Sequence, residues 1–359
     1  MVETTSRAFL TPLLANSRRL REMGIELRTF TAPTPALADC DVLMIHAKYF
    51  GQQWNDGADP ILAQLSEWSD QTGAIIYVDM YDSSGLIRAA VLPTVTLYAK
   101  NFLLRDRAAY AQPHYGGRIF THYYHTADSV EDGDPQYSVP IEDPRDRAKL
   151  RVGWNTAFAH HGPLNYRVAS LYRYAPLKLL LHAPTRFYSP SAPRSIDVSC
   201  RMSTAYARET VAYQRVRLNE MMSRRTQTGR LPRSEYFREM TRCKVVLSPF
   251  GWGEHAMRDY EAFVCGSVLL KPDMSHLETY PPLYVDGVTM VAHDWDLGDV
   301  EEKLDGILQD YPSAVEIAIA GQDLFRSYVS AGERSDSFVH HFSGLIRDAT
   351  AAASGSIPH

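Results

Sequence analysis

The chain has 359 residues, of which 45% are hydrophobic and 22% charged, with 21 Gly and 21 Pro. At roughly 150 residues per domain this length suits about two globular domains, and a disordered, collagen-like or disulfide-framework chain is excluded. A net charge of −5 lacks the basic excess that broad phosphate-backbone binding needs, and Cys40, Cys200, Cys243 and Cys265 include no C-x-x-C pair that would suggest a zinc or thioredoxin-type site.

Phe9, Leu10, Leu13, Leu14 and Leu20 fall at helical spacing over about 6–23, and Gly24 is a natural stop. Arg18, Arg19 and Arg21 cluster on this helix; a solvated face is the simple reading and peripheral membrane contact the other. No run reaches about 18 apolar residues, and the start lacks the charged-then-apolar pattern of a signal peptide, so a cytoplasmic protein is expected. Strands are expected at 25–30 and 39–45, a helix at 60–71, and further strands at 74–78 and 94–98. From 106 to 147 the pattern weakens into Tyr-, His-, Asp- and Pro-rich sequence that reads as loops. Strand candidates at 150–154 and 177–182 precede the linker-like SPSAPRS at 189–195.

The alternation then restarts with a strand at 196–201, helices at 208–225 and 234–241, strands at 244–248 and 268–271, and a helix at 314–328 whose sequel to 345 crosses back to brace the first domain. Short apolar strands alternating with amphipathic helices predict an α/β chain of two Rossmann-like β/α/β domains, 1–190 and 191–345, followed by a disordered tail over 346–359. A doubly wound domain normally opens with a strand, whereas this chain opens on a helix; the first strand is either supplied differently or lies upstream of Met1.

The most informative run is KVVLSPFGWGEHAMRDYEAFVCGSVLLKPD, from Lys244 to Asp273. A buried strand ends in Ser-Pro, a Phe-Gly-Trp-Gly turn follows, and a helix is expected from about Glu254 to just before Gly266. Ligands of open α/β sheets sit beyond the carboxyl ends of strands, where the next helix points its N-terminus at them. Gly251 and Gly253 would let backbone amides approach a phosphate. Glu254, Arg258 and Glu261, spaced by four and three, would share a helix face. A cation near the phosphates and a carboxylate one turn deeper suit a nucleoside diphosphate, Arg258 neutralising the phosphates and Glu261 accepting from the ribose hydroxyls.

This run resembles the donor-binding segment of GT-B glycosyltransferases, most closely the exostosin-like group and more loosely the fucosyltransferases. The resemblance is close over about 30 residues and loose over the second half of the chain. It implies two domains facing across a cleft, with Arg258 on the donor phosphates, Glu261 on the ribose, and Gly251, Trp252 and Gly253 along the sugar diphosphate. Arg201, just after the first strand of the second domain, stands where such enzymes often place a basic residue. The E-x7-E pattern of many retaining members would need Glu at 253, which is Gly253 here, so retention and inversion both stay open.

An acceptor would lie opposite, in the first domain. His46, Asp79 and Asp82 follow strand ends there and are the candidates for a general base. The Asp-x-Asp strings 39–41 and 294–296 read as turn or cap residues, and no G-x-S-x-G, P-loop or H-E-x-x-H string is present. The expected activity is a metal-independent glycosyl transfer, with no cofactor, from a UDP- or GDP-linked sugar to an acceptor hydroxyl. A glycan, a lipid-linked or small-molecule acceptor and a nucleic acid all fit that role. The competing expectations are a nucleotide-sugar epimerase of the same fold and a non-catalytic nucleotide- or glycan-binding module.

Overall fold

The computed structural model describes residues 4–30, 32–159, 161, 186–330 and 336–355. It holds two four-stranded parallel sheets, each wrapped by helices, in the manner of two Rossmann-like domains. The first runs β1 (Val42–His46), β2 (Ala74–Asp79), β3 (Leu97–Lys100) and β5 (Leu150–Val152), in that order across the sheet. The second has the order β10 (Val291–His293), β8 (Val268–Pro272), β7 (Cys243–Leu247) and β6 (Ile196–Ser199).

Strand periodicity decides what each face meets. On β2, Ala74, Ile76 and Val78 face a cluster with Leu13, Leu20, Phe338 and Phe342, while Ile75 and Tyr77 face Ile61, Leu65 and Trp68. Both faces are therefore apolar, as a parallel sheet covered on both sides requires. The covering helices are α1 (Thr4–Ala15) and α2 (Ser17–Glu22) on one side, α3 (Asp59–Gln71) on the other, and at the chain's end α11 (Asp336–Ala353) beside α1 and α2.

Several expected elements differ. The opening helix breaks at the buried Asn16, whose side chain donates to the Pro12 carbonyl at 2.8 Å. The strand expected at 25–30 does not form: the segment makes no strand pairing, and β1 stays the edge of its sheet. The segment read as loops contains α4 (Ile119–Asp128), which buries Phe120, Thr121 and Tyr124, and a short turn of helix, α5 (Pro144–Arg147). The strand expected at 177–182 lies outside the described residues. The disordered tail expected from 346 is corrected: α11 runs to Ala353 with Ala349 fully buried on the first sheet's core. Its small residues fit close packing there. Arg18 pairs with Glu22 at 3.2 Å, Arg19 with Asp336 of α11, and no described helix is long and apolar enough to cross a membrane.

In the second domain α6 (Glu209–Met222) and α7 (Arg233–Met240) precede β7, and α8 (Met257–Cys265) joins β7 to β8. Helices α9 (Val300–Gln309) and α10 (Tyr311–Val329) follow β10, and α9 completes the core of Val245, Leu247, Val268 and Leu270 with Leu304 and Ile307. The two domains are sewn together by an unexpected ladder: β4 (Phe102–Leu104), immediately after β3, pairs antiparallel with β9 (Leu277–Thr279), which follows β8. Arg105 adds hydrogen bonds to the carbonyls of Ser275 and Leu277, both at 3.1 Å.

Candidate functional site

The turn after β7 lies against the first domain. A Cβ added at Gly253 would stand 1.3 Å from the Asp82 carbonyl oxygen, so only glycine lets the two backbones meet. Arg118, on the residue before α4, donates through Nε to the Trp252 carbonyl at 2.6 Å and through Nη1 to that of Gly116 at 2.6 Å. Desolvation lowers its pKa. On the other side a Cβ at Gly251 would come within 2.9 Å of Arg215 Nη2 and 3.3 Å of the Tyr206 hydroxyl. The Gly251 amide is already used, donating to the Gly253 carbonyl at 2.9 Å. These glycines thus serve close approach of backbone and side chains, and the Gly251 amide is engaged within the turn itself.

Helix α8 begins at Met257, one turn later than expected, because Asp259 caps it by accepting from the Ala256 amide at 3.0 Å. Asp259 also pairs with the buried Lys271 at 3.2 Å and accepts from the Tyr284 hydroxyl at 2.9 Å, so the start of α8 is rigidly anchored. Glu254 is left outside the helix and does not share a face with Arg258 and Glu261. It is fully buried, accepting from the Ser84 amide at 3.2 Å and from the Ser84 hydroxyl.

Arg258 holds the Arg201 carbonyl through Nη2, whereas its Nε and Nη1 are buried with no hydrogen-bond partner. Nearby Arg215 is buried and donates to the carbonyls of Phe250 and Ser203. Burial first, and then the Arg258 charge, bring its pKa down to about 10. Arg201 differs, because Glu239 neutralises it through bonds of 3.0 Å to Nε and 2.6 Å to Nη2. Glu261 is buried, its oxygens engaged by Arg233 at 3.2 Å and the Tyr236 hydroxyl at 3.0 Å, and burial raises its pKa. The positive potential beyond β6 and β7 therefore centres on Arg215 and Arg258, at the first turn of α8, where the helix dipole adds the same sign.

The three first-domain candidates do not converge. Asp79 is buried and accepts from Lys100 Nζ at 2.9 Å, the Tyr98 hydroxyl at 2.6 Å and the Tyr81 amide at 2.8 Å. That is a satisfied internal ion pair between β2 and β3, unsuited to taking a proton from an acceptor. His46 faces α1, its ring 4.9 Å from that of Phe9 and its Nδ1 accepting from the Lys48 amide at 3.2 Å. Asp82 alone reaches the turn at 251–253, and it is exposed.

Residues missed at the sequence level are Arg215 and Arg118. Arg215 carried a signal: on α6 the buried positions Val211, Arg215, Leu218 and Met222 form one stripe, and an arginine inside an apolar stripe marks a cation with work inside the fold. Arg118 carried none, since its partner is a backbone carbonyl in the other domain. A cavity of about 400 Å³ lies beyond β8 and β10, lined by Tyr123, Asp273, Asp294, Trp295 and Asp296. Asp296 there accepts from the Gly298 amide at 2.8 Å, the turn role expected of it. Among the described residues no three His, Cys, Asp or Glu side chains converge as metal ligands.

No protein-family model matches the sequence, and no curated protein is similar to it. Among solved structures the chain is similar to Alr3699/HepE of Anabaena, solved in complex with UDP-glucose, at 10% identity and a TM-score of 0.40, covering 94% of this chain and 95% of that one. TarM matches at 9% identity and a TM-score of 0.42 over 85% of this chain and 54% of its own. An α-glucosyltransferase in complex with UDP-glucose and DNA containing an abasic site matches at 9% identity and a TM-score of 0.32, over 86% and 81%.

Proposed function

We propose that the chain is a glycosyltransferase that binds a nucleoside diphosphate sugar by its diphosphate at Arg215 and Arg258. One observation carries this reading. The buried Arg215 and the half-buried Arg258 act on each other electrostatically at the carboxyl end of a parallel sheet, and two nitrogens of Arg258, Nε and Nη1, are buried and unpartnered. A buried donor left without a partner costs about 1–3 kcal/mol, and its retention is explained by an anion that completes it. A diphosphate matches in charge and in forked acceptor geometry. As the bond to the sugar breaks, charge grows on the departing diphosphate, and donors already held in place there stabilise it without reorganising. In this reading the arginines supply the charge that a divalent cation would otherwise bring, and transfer is metal-independent. Glu261 would reach the ribose only by sharing oxygens now held by Arg233 and Tyr236. In this reading Asp82, exposed beside the turn at 251–253, is the general base for the acceptor hydroxyl.

The test is calorimetric titration with UDP, GDP and dTDP and their sugars, followed by mass spectrometry of the products. Binding of a nucleoside diphosphate that drops at least tenfold in Arg258→Ala, together with sugar transfer to an acceptor or to water, is expected. Inversion of a sugar centre without transfer would replace the reading with an epimerase, and binding without turnover on any acceptor class would replace it with a binding module. Absence of any nucleotide binding would refute it.

A further inference from the structure

Trp252 is 40% exposed, yet its ring is held by contacts with Arg118 and Tyr206. The Arg118 guanidinium stands 5.4 Å from the indole, and the Tyr206 ring meets it at 5.5 Å and 67°. Arg118 also holds the Trp252 carbonyl, while Gly253 locks the following residue onto Asp82. A lone exposed apolar side chain needs no explanation, but a large flat one held in a single orientation is a preorganised contact surface. Its surroundings define what it would meet. Tyr206 lies under the Arg215 guanidinium at 5.1 Å, so the indole is one ring away from the cation pair. On its other side stand first-domain groups, Arg118 and the backbone of Asp82.

We propose that the open face of Trp252 is the platform for the sugar ring of the donor, with Arg118 as the positioning residue that aims it. This rests on the nucleotide-sugar reading above and names a subsite within it. A pyranose has an apolar C–H face and a hydroxyl edge; the face covers the indole, removing apolar surface of both from water, and the edge meets charged groups such as those of Asp82 and Arg118. With the diphosphate on Arg215 and Arg258, a group over Trp252 lies toward the first domain, where an acceptor must approach. The nucleoside then extends the opposite way, into the second domain.

The experiment compares, by calorimetry, the tightest-binding nucleotide sugar among the UDP-, GDP- and dTDP-linked panel with its parent nucleoside diphosphate. In Trp252→Ala the nucleotide sugar should lose about tenfold in affinity and the parent less than twofold. Trp252→Phe, which keeps a flat ring, should recover most of the loss, and Arg118→Lys should weaken the nucleotide sugar while sparing the parent. Quenching of tryptophan fluorescence that needs the sugar should vanish in Trp252→Phe. Equal losses for both ligands would assign the ring to the base and overturn the proposal, as would no loss for either. If no member of the panel binds the wild-type protein, the nucleotide-sugar reading itself falls, an outcome distinct from unchanged binding in the Trp252 variants.

Discussion

Arg258 and Asp79 are buried charges of opposite kinds, and that difference makes opposite predictions. Asp79 has three donors, one of them a lysine, so removing its charge in Asp79→Asn leaves Lys100 uncompensated and should cost about 3–5 kcal/mol, read as a lower urea midpoint. Arg258 has two buried nitrogens with no partner, so Arg258→Met should leave the free protein as stable or more stable, by up to about 3 kcal/mol, while abolishing diphosphate binding. A melt that falls in Arg258→Met would show that the guanidinium is structural. His255 adds a pH dependence. Buried against Phe102 at 4.1 Å, it has its pKa driven by desolvation from the ordinary 6.5 to about 3. Between those values the unfolded chain holds a proton that the folded one does not, so stability is full above about pH 6.5 and declines as pH falls toward 3. His293, lowered to about 4 by the same cause, acts in the same direction. The acid slope of the melting temperature should flatten in His255→Phe. In the sequence Asp79, at a strand end, reads as a candidate general base, and only its three donors reveal a closed internal ion pair.

Regular elements with strong periodicity were legible within a few residues, and the exceptions share a cause. The segment at 25–30 has strand composition yet does not pair with the edge that β1 presents, whereas 346–353 reads as part of a disordered tail yet continues α11; in both, tertiary contacts override the local pattern. That helix is amphipathic in a way its sequence shows only up to Leu345; beyond it the buried contact is made by Ala349, too small to register as hydrophobic patterning. It covers β1 and β2 with Phe338, Val339, Phe342 and Leu345. Phe342→Ala should therefore cost about 3–5 kcal/mol in urea unfolding, as large-to-small changes in a packed core do. Removal of residues 336–355 should yield an aggregating protein, because it bares an apolar sheet face. Recovery of a soluble, normally melting truncated chain would contradict that packing.

The two sheets are joined by more than a linker. The β4–β9 ladder, Arg118 on Trp252, Glu254 on Ser84, and Asp132 accepting from the Thr210 amide at 2.9 Å all cross between first- and second-domain segments. One buried cluster runs from Tyr77 through Phe102, Phe250 and Leu277 to Phe263. Unfolding should accordingly be a single calorimetric transition, with no separate melting of either sheet. Gly253→Ala, which drives a Cβ into the Asp82 carbonyl, should force the domains apart at this point and broaden or split that transition. A wild-type scan with two resolved peaks would refute the idea that the domains behave as one unit.

Local patterning of the sequence determined the α/β class, the second-domain strand–turn–helix at 243–265 and the prominence of Arg258, because strand and helix periods and turn residues are properties of neighbours along the chain. Which charges are satisfied, why Gly253 must be glycine and where Arg215 and Arg118 act were decided only by tertiary structure. Each depends on a partner far away in sequence, and burial turns an ordinary arginine or aspartate into either a fixed ion pair or an open anion site according to what happens to lie within hydrogen-bonding distance.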